Sequence, residues 1–395
     1  MPFLQYGAGA RSDYPLTAER FILGYSETPR SCGVVTHMFR TLKSVGEFWC
    51  AARAFVTAMT AIFCALFPQS SRADQGGIGF WLPGTFGSLA ATPMQPGLSM
   101  SALYLHSSVS AGGDVAASRT INFPPNRPVN LSVNLDAEIK GTADVVAFGP
   151  TYVFATPVLG GQFAITALGI AGRQQATIDA TVTGALGPIG FAAARSISDS
   201  RTAFGDVFLQ PTLRWNQGVN NYLVYGMMNL PVGAYDPSRL ANLGLGHWSI
   251  DGGAGYTYFD QKTGWEFSAV AGATYNFTNP YLDYQNGIDG HLDWGFSKFV
   301  SKQVHIGLVG YAYQQLTADS GAGATLGDFK SRVFAVGPQI GYLFPVGDLQ
   351  GYLNLKGYKE FGAEHRPEGW NAWLTLAISP SETKAPPPVQ RMITK

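Results

Sequence analysis

From about Leu98 onward, hydrophobic and polar residues alternate along the chain. In 264–277 one parity carries Trp265, Phe267, Ala269, Ala271, Ala273, Tyr275 and Phe277, and the other Glu266, Ser268, Val270, Gly272, Thr274 and Asn276. Residues 288–298 set Ile288, Leu292, Trp294 and Phe296 against Asp289, His291, Asp293 and Ser297. In 349–361 Leu349, Leu353, Leu355 and Phe361 oppose Gln350, Asn354, Lys356 and Glu360. Successive side chains of a strand point to opposite faces, so each segment has one greasy wall and one polar wall. A soluble β-sandwich alternates too, but its strands usually run only about five or six residues, and a membrane-crossing strand needs about 9–11. The segments here run about 11–14 residues. Trp215, Tyr222, Trp248, Trp265 and Trp370 sit near segment ends, where interfacial aromatic girdles belong.

Connections alternate in length. Short ones fall near 157–160, 217–219, 260–263, 300–302 and 345–348; long ones near 108–128, 174–204, 231–247, 278–287, 316–330 and 362–369. Counting back from a last strand at 370–378, segments begin near 349, 331, 303, 289, 264, 249, 220, 205, 161, 141 and 98. The pattern predicts an all-β chain, an antiparallel transmembrane β-barrel of about twelve strands, an even number as closure requires. Residues 129–156 read as one long strand or two, and the apolar pieces within 176–195 leave room for another hairpin, giving fourteen.

Composition narrows this. Only 13% of the 395 residues are charged, with 26 Lys+Arg against 26 Asp+Glu, while Gly reaches 48 and aromatics 13%. That is a thin polar coat for a soluble protein of this size. A neutral balance also speaks against a nucleic-acid partner, since no basic excess is present to neutralise phosphates. No run reaches the roughly 20 apolar residues of a spanning helix. The longest, 54–67, has the length of a signal-peptide core. Arg40, Lys43 and Arg53 precede it as a positive n-region, and Ser71 and Ala73 supply small residues for cleavage after Ala73. Residues 1–37 exceed a normal leader, so Met38 is the expected true start. Cleavage would remove Cys32, Cys50 and Cys64, the only cysteines, and with them any disulfide or thiolate metal site. It would also remove seven Lys/Arg and four Asp/Glu, leaving 19 against 22, a balance of −3.

The expected organisation is an upstream extension plus signal over 1–73, a lumen segment over 74–97, the barrel over 98–378, and an exposed Pro-rich tail over 379–395. The lumen segment is apolar and contains Phe80, Trp81 and Phe86. Pro83, Gly84, Pro93 and Pro96 break it, so it is no regular strand. Irregular backbone survives at membrane depth only inside protein or beside a cavity, which places it in the lumen as a plug. The Pro83-Gly84 turn lets it fold back, with Trp81 or Phe86 offering an aromatic solute a first contact. Charge on the lipid side costs about 2–4 kcal/mol for Arg or Lys near the midplane, so the polar parity is expected to face inward. That set is Asp206, Gln210, Arg214, Asp251, Glu266, Asn276, Asp289, His291, Asp293, Gln339, Lys356, Glu360 and Asn371. Arg214 and Lys356, its few cations, are expected to hold the surrounding carboxylates together. Asp289, His291 and Asp293 share one strand face at a spacing that suits metal ligands, but a hydrogen-bonded lumen strip explains them better. No nucleophile elbow, HExxH, P-loop or dinucleotide fingerprint is present. We expect no catalysis, metal or cofactor.

Several stretches carry a family resemblance: 82–87 (LPGTFG), 205–215 (GDVFLQPTLRW), 230–244 (LPVGAYDPSRLANLG), 279–287 (NPYLDYQNG), 313–323 (YQQLTADSGAG), 334–342 (FAVGPQIGY) and 352–376 (YLNLKGYKEFGAEHRPEGWNAWLTL). Over about 76–377 the chain resembles the outer-membrane family linked to the meta-pathway of phenol degradation. The resemblance implies an outer-membrane barrel that passes small hydrophobic or aromatic compounds inward. Expected partners are outer-membrane lipid, a small apolar or aromatic solute and the barrel-assembly machinery, although the tail displaces the aromatic terminal residue many such barrels use for assembly. The alternative is a noncatalytic structural or adhesive surface barrel with a plugged lumen. Cell fractionation should find the mature chain in the outer membrane, with a mobility on gels that changes on boiling; soluble recovery with unchanged mobility would rule out the barrel.

Overall fold

Strands that are apolar on one face and polar on the other can hide both edges and the polar face by closing on themselves. In the computed structural model twelve antiparallel strands do this. They are β1 (Gly97–Phe123), β2 (Arg127–Val153), β3 (Gln162–Leu186), β4 (Ile189–Gln217), β5 (Asn220–Leu230), β6 (Ser249–Asp260), β7 (Trp265–Asn276), β8 (Asp289–Phe299), β9 (Val304–Gln315), β10 (Arg332–Val346), β11 (Leu349–Glu364) and β12 (Glu368–Pro380). Each pairs with its sequence neighbour, and β1 pairs with β12 from Met100↔Ile378 to Ser110↔Glu368, closing the barrel. The structure describes residues 79–123, 127–186, 188–324 and 330–381. The export signal, its cleavage site, the Met38 start, residues 74–78 and the tail beyond Ser381 lie outside the described residues.

Burial follows parity. On β7, Trp265, Phe267 and Tyr275 are exposed on the outer wall while Glu266, Ser268, Thr274 and Asn276 are buried within. On β11, Leu353, Leu355 and Phe361 face out and Asn354, Lys356 and Glu360 face in. Strands β5 to β9 have 11 or 12 residues. At the tilt closure imposes, such strands give an apolar band about 25 Å tall. Tyr222 and Trp265 lie toward the end where β1 begins and β12 finishes, and Trp248 and Trp370 toward the other, all exposed. Trp215 instead is half-buried and donates its indole N–H to the Leu159 carbonyl at 3.1 Å. Outward charge begins near Trp370, whose ring lies 4.9 Å from His106, itself paired with Asp144 at 2.7 Å.

Two expected long loops are not loops. Residues 108–128 are mostly strand, with β1 running on to Phe123 and β2 starting at Arg127; 174–204 likewise belongs to β3 and β4. Residues 129–153 form one strand, and the apolar pieces of 176–195 are the facing ends of β3 and β4, so the count stays at twelve. The misreading has a physical cause. Above the apolar band neither face must be uniformly apolar, so small, hydroxylated and charged residues mix with the apolar ones and the hydrophobic period fades while the hydrogen-bond ladder continues. The last connection also shrinks to 365–367, and β12 extends to Pro380, paired with Leu349.

The far ends of β1 to β4 thus rise past the rim as a four-stranded tongue. The β5–β6 connection braces it. Ala234 N–H donates to the Phe204 carbonyl at 2.9 Å, and Arg239 pairs with Asp199 at 2.6 Å. The main-chain N–H groups of Leu240 and Ala241 donate to the same carboxylate, each at 3.1 Å. Asp199 lies outside the apolar band, and the Arg239 guanidinium holds its carboxyl below the usual range.

The barrel's faces can be checked by chemistry, because no cysteine follows Cys64. Cysteine in place of Phe267 should react with a lipid-soluble maleimide. Cysteine in place of the fully buried Glu266 should resist both lipid-soluble and water-soluble reagents. Preferential water-soluble labelling at 267 would mean the register is off by one residue.

Candidate functional site: a segment gripped inside the barrel

Inside the ring of strands runs the stretch 79–96, which has no regular secondary structure. Its backbone N–H and C=O groups have no ladder, and unsatisfied groups there would cost free energy comparable to lost hydrogen bonds. The inward polar side chains supply the partners. The Asp293 carboxylate on β8 accepts from Gly84 N–H through one oxygen and Phe86 N–H through the other, both at 3.0 Å. Lys356 on β11 donates its ammonium to the Gly84 carbonyl at 2.5 Å. Glu266 accepts from Leu89 N–H at 2.8 Å, and Thr257 from Ala91 N–H at 3.0 Å. Gln162 accepts from Met94 N–H at 2.7 Å and donates to its carbonyl at 2.6 Å. Gln339 donates to the Ser88 hydroxyl at 2.7 Å and to Ser297 at 2.9 Å.

Two glycines permit this fit. Gly84 has φ +90°, and a Cβ there would lie 3.0 Å from the Tyr358 ring. A Cβ on Gly295, one pleat along from Asp293, would sit 2.8 Å from the Ser88 nitrogen. Side chains of the segment pack as well. Trp81 stacks on His291 with ring centroids 3.6 Å apart, and His291 pairs with Asp251 at 2.9 Å. Thr274 donates to the same Asp251 oxygen at 2.6 Å. Phe86 lies 5.3 Å from Tyr225, and Phe80 5.4 Å from Phe208.

Most of the remaining inward residues serve other parts of the barrel. Glu360 accepts from Tyr311 at 2.7 Å, Asn371 donates to the same phenol oxygen at 2.7 Å, and Trp373 donates to Asn371 at 3.1 Å. Asn276 and Tyr313 donate to Asp289 at 2.9 and 2.8 Å. Asp206 accepts from Asn229, Gly233 N–H and Leu245 N–H, fastening the β5–β6 connection. Among the described residues Arg214 donates to Thr212 at 2.7 Å, and Gln210 lies half-buried on the same face of β4. Asp289, His291 and Asp293 therefore turn to three separate partners. Among the described residues no group of three or more His, Cys, Asp or Glu is placed to hold a metal. The cations differ from expectation. Neither Arg214 nor Lys356 forms an ion pair among the described residues, and Lys356 is directed at main-chain carbonyls, where the segment's unpaired backbone makes the stronger local demand.

Beyond the segment, toward the tongue, lies a cavity of about 240 Å³. Trp81, Leu82 and Pro83 border it, with Leu105, Val145, Ile170, Leu243, Tyr311 and Trp373 among its walls. Sequence reasoning named Trp81 and Pro83 but missed the apolar strand residues of the wall, because on the strands it looked for the lumen only in the polar parity. The available signal was the inward parity of β1, β2 and β12, which alternates Leu105, Val145 and Trp373 with small or polar neighbours.

A closed twelve-stranded barrel with an apolar outer wall and an irregular segment in its lumen has the architecture of an outer-membrane channel. The crystal structure of an outer membrane channel from Pseudomonas putida F1 superimposes with a TM-score of 0.52 at 14% identity, covering 75% of this chain and 99% of that one. A Pseudomonas aeruginosa FadL homologue gives a TM-score of 0.30 at 10% identity, covering 77% and 95%. No curated protein matches the chain in sequence. The family described as "Putative MetA-pathway of phenol degradation" matches residues 107–376, and the chain belongs to it.

The Asp293 clamp is directly testable. Asp293→Asn keeps one acceptor oxygen but turns an NH2 group toward the second N–H, costing about 2–3 kcal/mol of charge-assisted hydrogen bonding. Single-channel recordings should show openings tens of times more frequent, on the order of that free energy. An unchanged opening frequency in a folded variant would mean that the clamp does not hold the segment.

Proposed function

We propose that the protein sits in the bacterial outer membrane and admits small hydrophobic or aromatic solutes passively, and that residues 79–96 are its hatch. The observation that carries this reading is the seat of that segment. Wall side chains hydrogen-bond its main chain from Gly84 to Met94, so it fills the lumen while remaining non-covalent and displaceable. Its face toward the cavity is Trp81, Leu82 and Pro83, which suits an apolar ring better than a hydrated ion. The walls combine aliphatic and aromatic groups with a few fixed polar atoms, the mixture found in small-molecule sites.

Orientation follows from the connections. The end where β1 begins, β12 finishes and the short turns lie would face the periplasm, with the tongue and the long connections outside. The Asp289, His291 and Asp293 strip serves structure in this reading, and so do Asp206, Asp251 and Glu360. Arg214, Gln210 and the inner wall below the hatch would line the inward exit. Uptake would draw only on the solute's concentration gradient. Membership of a family tied by its description to phenol degradation supports an aromatic cargo.

Deleting 76–92 tests the reading. The folded deletion variant should conduct several-fold more ions in planar bilayers and admit polar sugars in liposome swelling. Unchanged conductance and swelling would show that the segment is no hatch, leaving a closed structural or adhesive barrel.

A further inference from the structure

The acids and bases around the cavity are unequally satisfied. The carboxylates that border or adjoin it are engaged by the protein itself. Asp206 accepts three hydrogen bonds from Asn229, Gly233 and Leu245. Glu360 accepts from the Tyr311 hydroxyl and from Gly369 N–H at 2.8 Å. In the strand ends flanking the β11–β12 connection, Glu364 pairs with Arg332 and Glu368 accepts from Ala363 N–H at 3.1 Å. Of the cavity's cations, Lys140 is paired with Glu138 at 2.8 Å and lies 3.8 Å from Asp179.

Arg366 stands apart. It lines the cavity from the β11–β12 connection, half-buried, and among the described residues no carboxylate lies within 4.0 Å of its guanidinium. Its Nε is buried without a hydrogen-bond partner. Its position is nevertheless fixed, because the guanidinium lies over the Tyr313 ring at 4.9 Å and Tyr313 is itself anchored to Asp289 at 2.8 Å. An unpaired buried donor is costly, and a guanidinium offers planar, paired donors that match a carboxylate.

Resting on the reading of this cavity as the solute route, we propose that it selects solutes with an apolar body and a carboxylate head, and that Arg366 is the residue that reads the carboxylate. The ring or short alkyl body lies against Leu105, Val145 and Trp373, while the head replaces the counter-ion that Arg366 lacks. At about 240 Å³ the cavity is small for a ligand site, which fits a one-ring acid better than a long-chain one. The engaged carboxylates repel such a solute less than free ones would, because their charge is already shared with protein donors.

The test is calorimetric titration of the full chain in detergent with benzoate and with benzyl alcohol near neutral pH. Benzoate should bind about tenfold more tightly. Arg366→Gln should remove that preference while leaving benzyl alcohol binding unchanged, and Arg366→Glu should transfer it to protonated benzylamine. Heat-dependent gel mobility confirms that each variant is folded. Equal binding of benzoate and benzyl alcohol, or a preference for benzoate that survives Arg366→Gln, overturns the inference and leaves the solute route standing. Binding of neither compound to the native chain overturns the route and the inference together.

Discussion

The pinch that Asp293 and Lys356 place on the turn at Gly84 is the interaction on which the interior depends. One side chain takes two N–H groups and the other takes the carbonyl between them, so a backbone with no ladder of its own is satisfied at membrane depth. Without such partners the segment would be expelled, because exposed peptide groups are too costly in a lumen walled off from bulk water. The same requirement explains why the inner wall is polar. Glu266, Thr257 and Gln162 repeat the arrangement along the segment, on strands β7, β6 and β3. The buried carboxylates and the buried ammonium meet main-chain dipoles in place of one another.

This division of labour also separates two halves of the lumen. Around the segment, polar side chains face backbone; beyond it, Leu105, Val145 and Trp373 face an open cavity. Trp81 belongs to both, stacked on His291 and lining the cavity. The His291–Asp251 hydrogen bond beneath it is fully buried and braces the imidazole on which the Trp81 ring rests.

Much of the barrel was legible because a period of two is strict. Residues 264–277 and 349–361 assign every side chain to a face, and burial on β7 and β11 follows that assignment. Closure at twelve followed from turn spacing. The tongue was illegible for the opposite reason: at 111–123 and 189–203 small and hydroxylated residues are interspersed with charged and apolar ones and no wall is consistently greasy, so nothing distinguished a strand from a loop. Within the lumen, parity gave the face of Asp293 and Lys356 but not their depth. Depth decides that they meet Gly84 rather than each other or Glu266. Tyr311 and Trp373 were overlooked because an inward aromatic breaks the simple rule of greasy outside and polar inside.

The wall holds the segment mainly by its peptide groups, and those are the same for every amino acid. Between Gly84 and Met94 the side chains are therefore largely released from the task of anchoring, Gly84 and Ser88 excepted. Leu82 and Pro83, which face the cavity, lie outside the stretch the wall holds, so mutation there can redraw the cavity floor without disturbing the seat. In such an arrangement, recognition can drift across a lineage while the scaffold that supports it stays still.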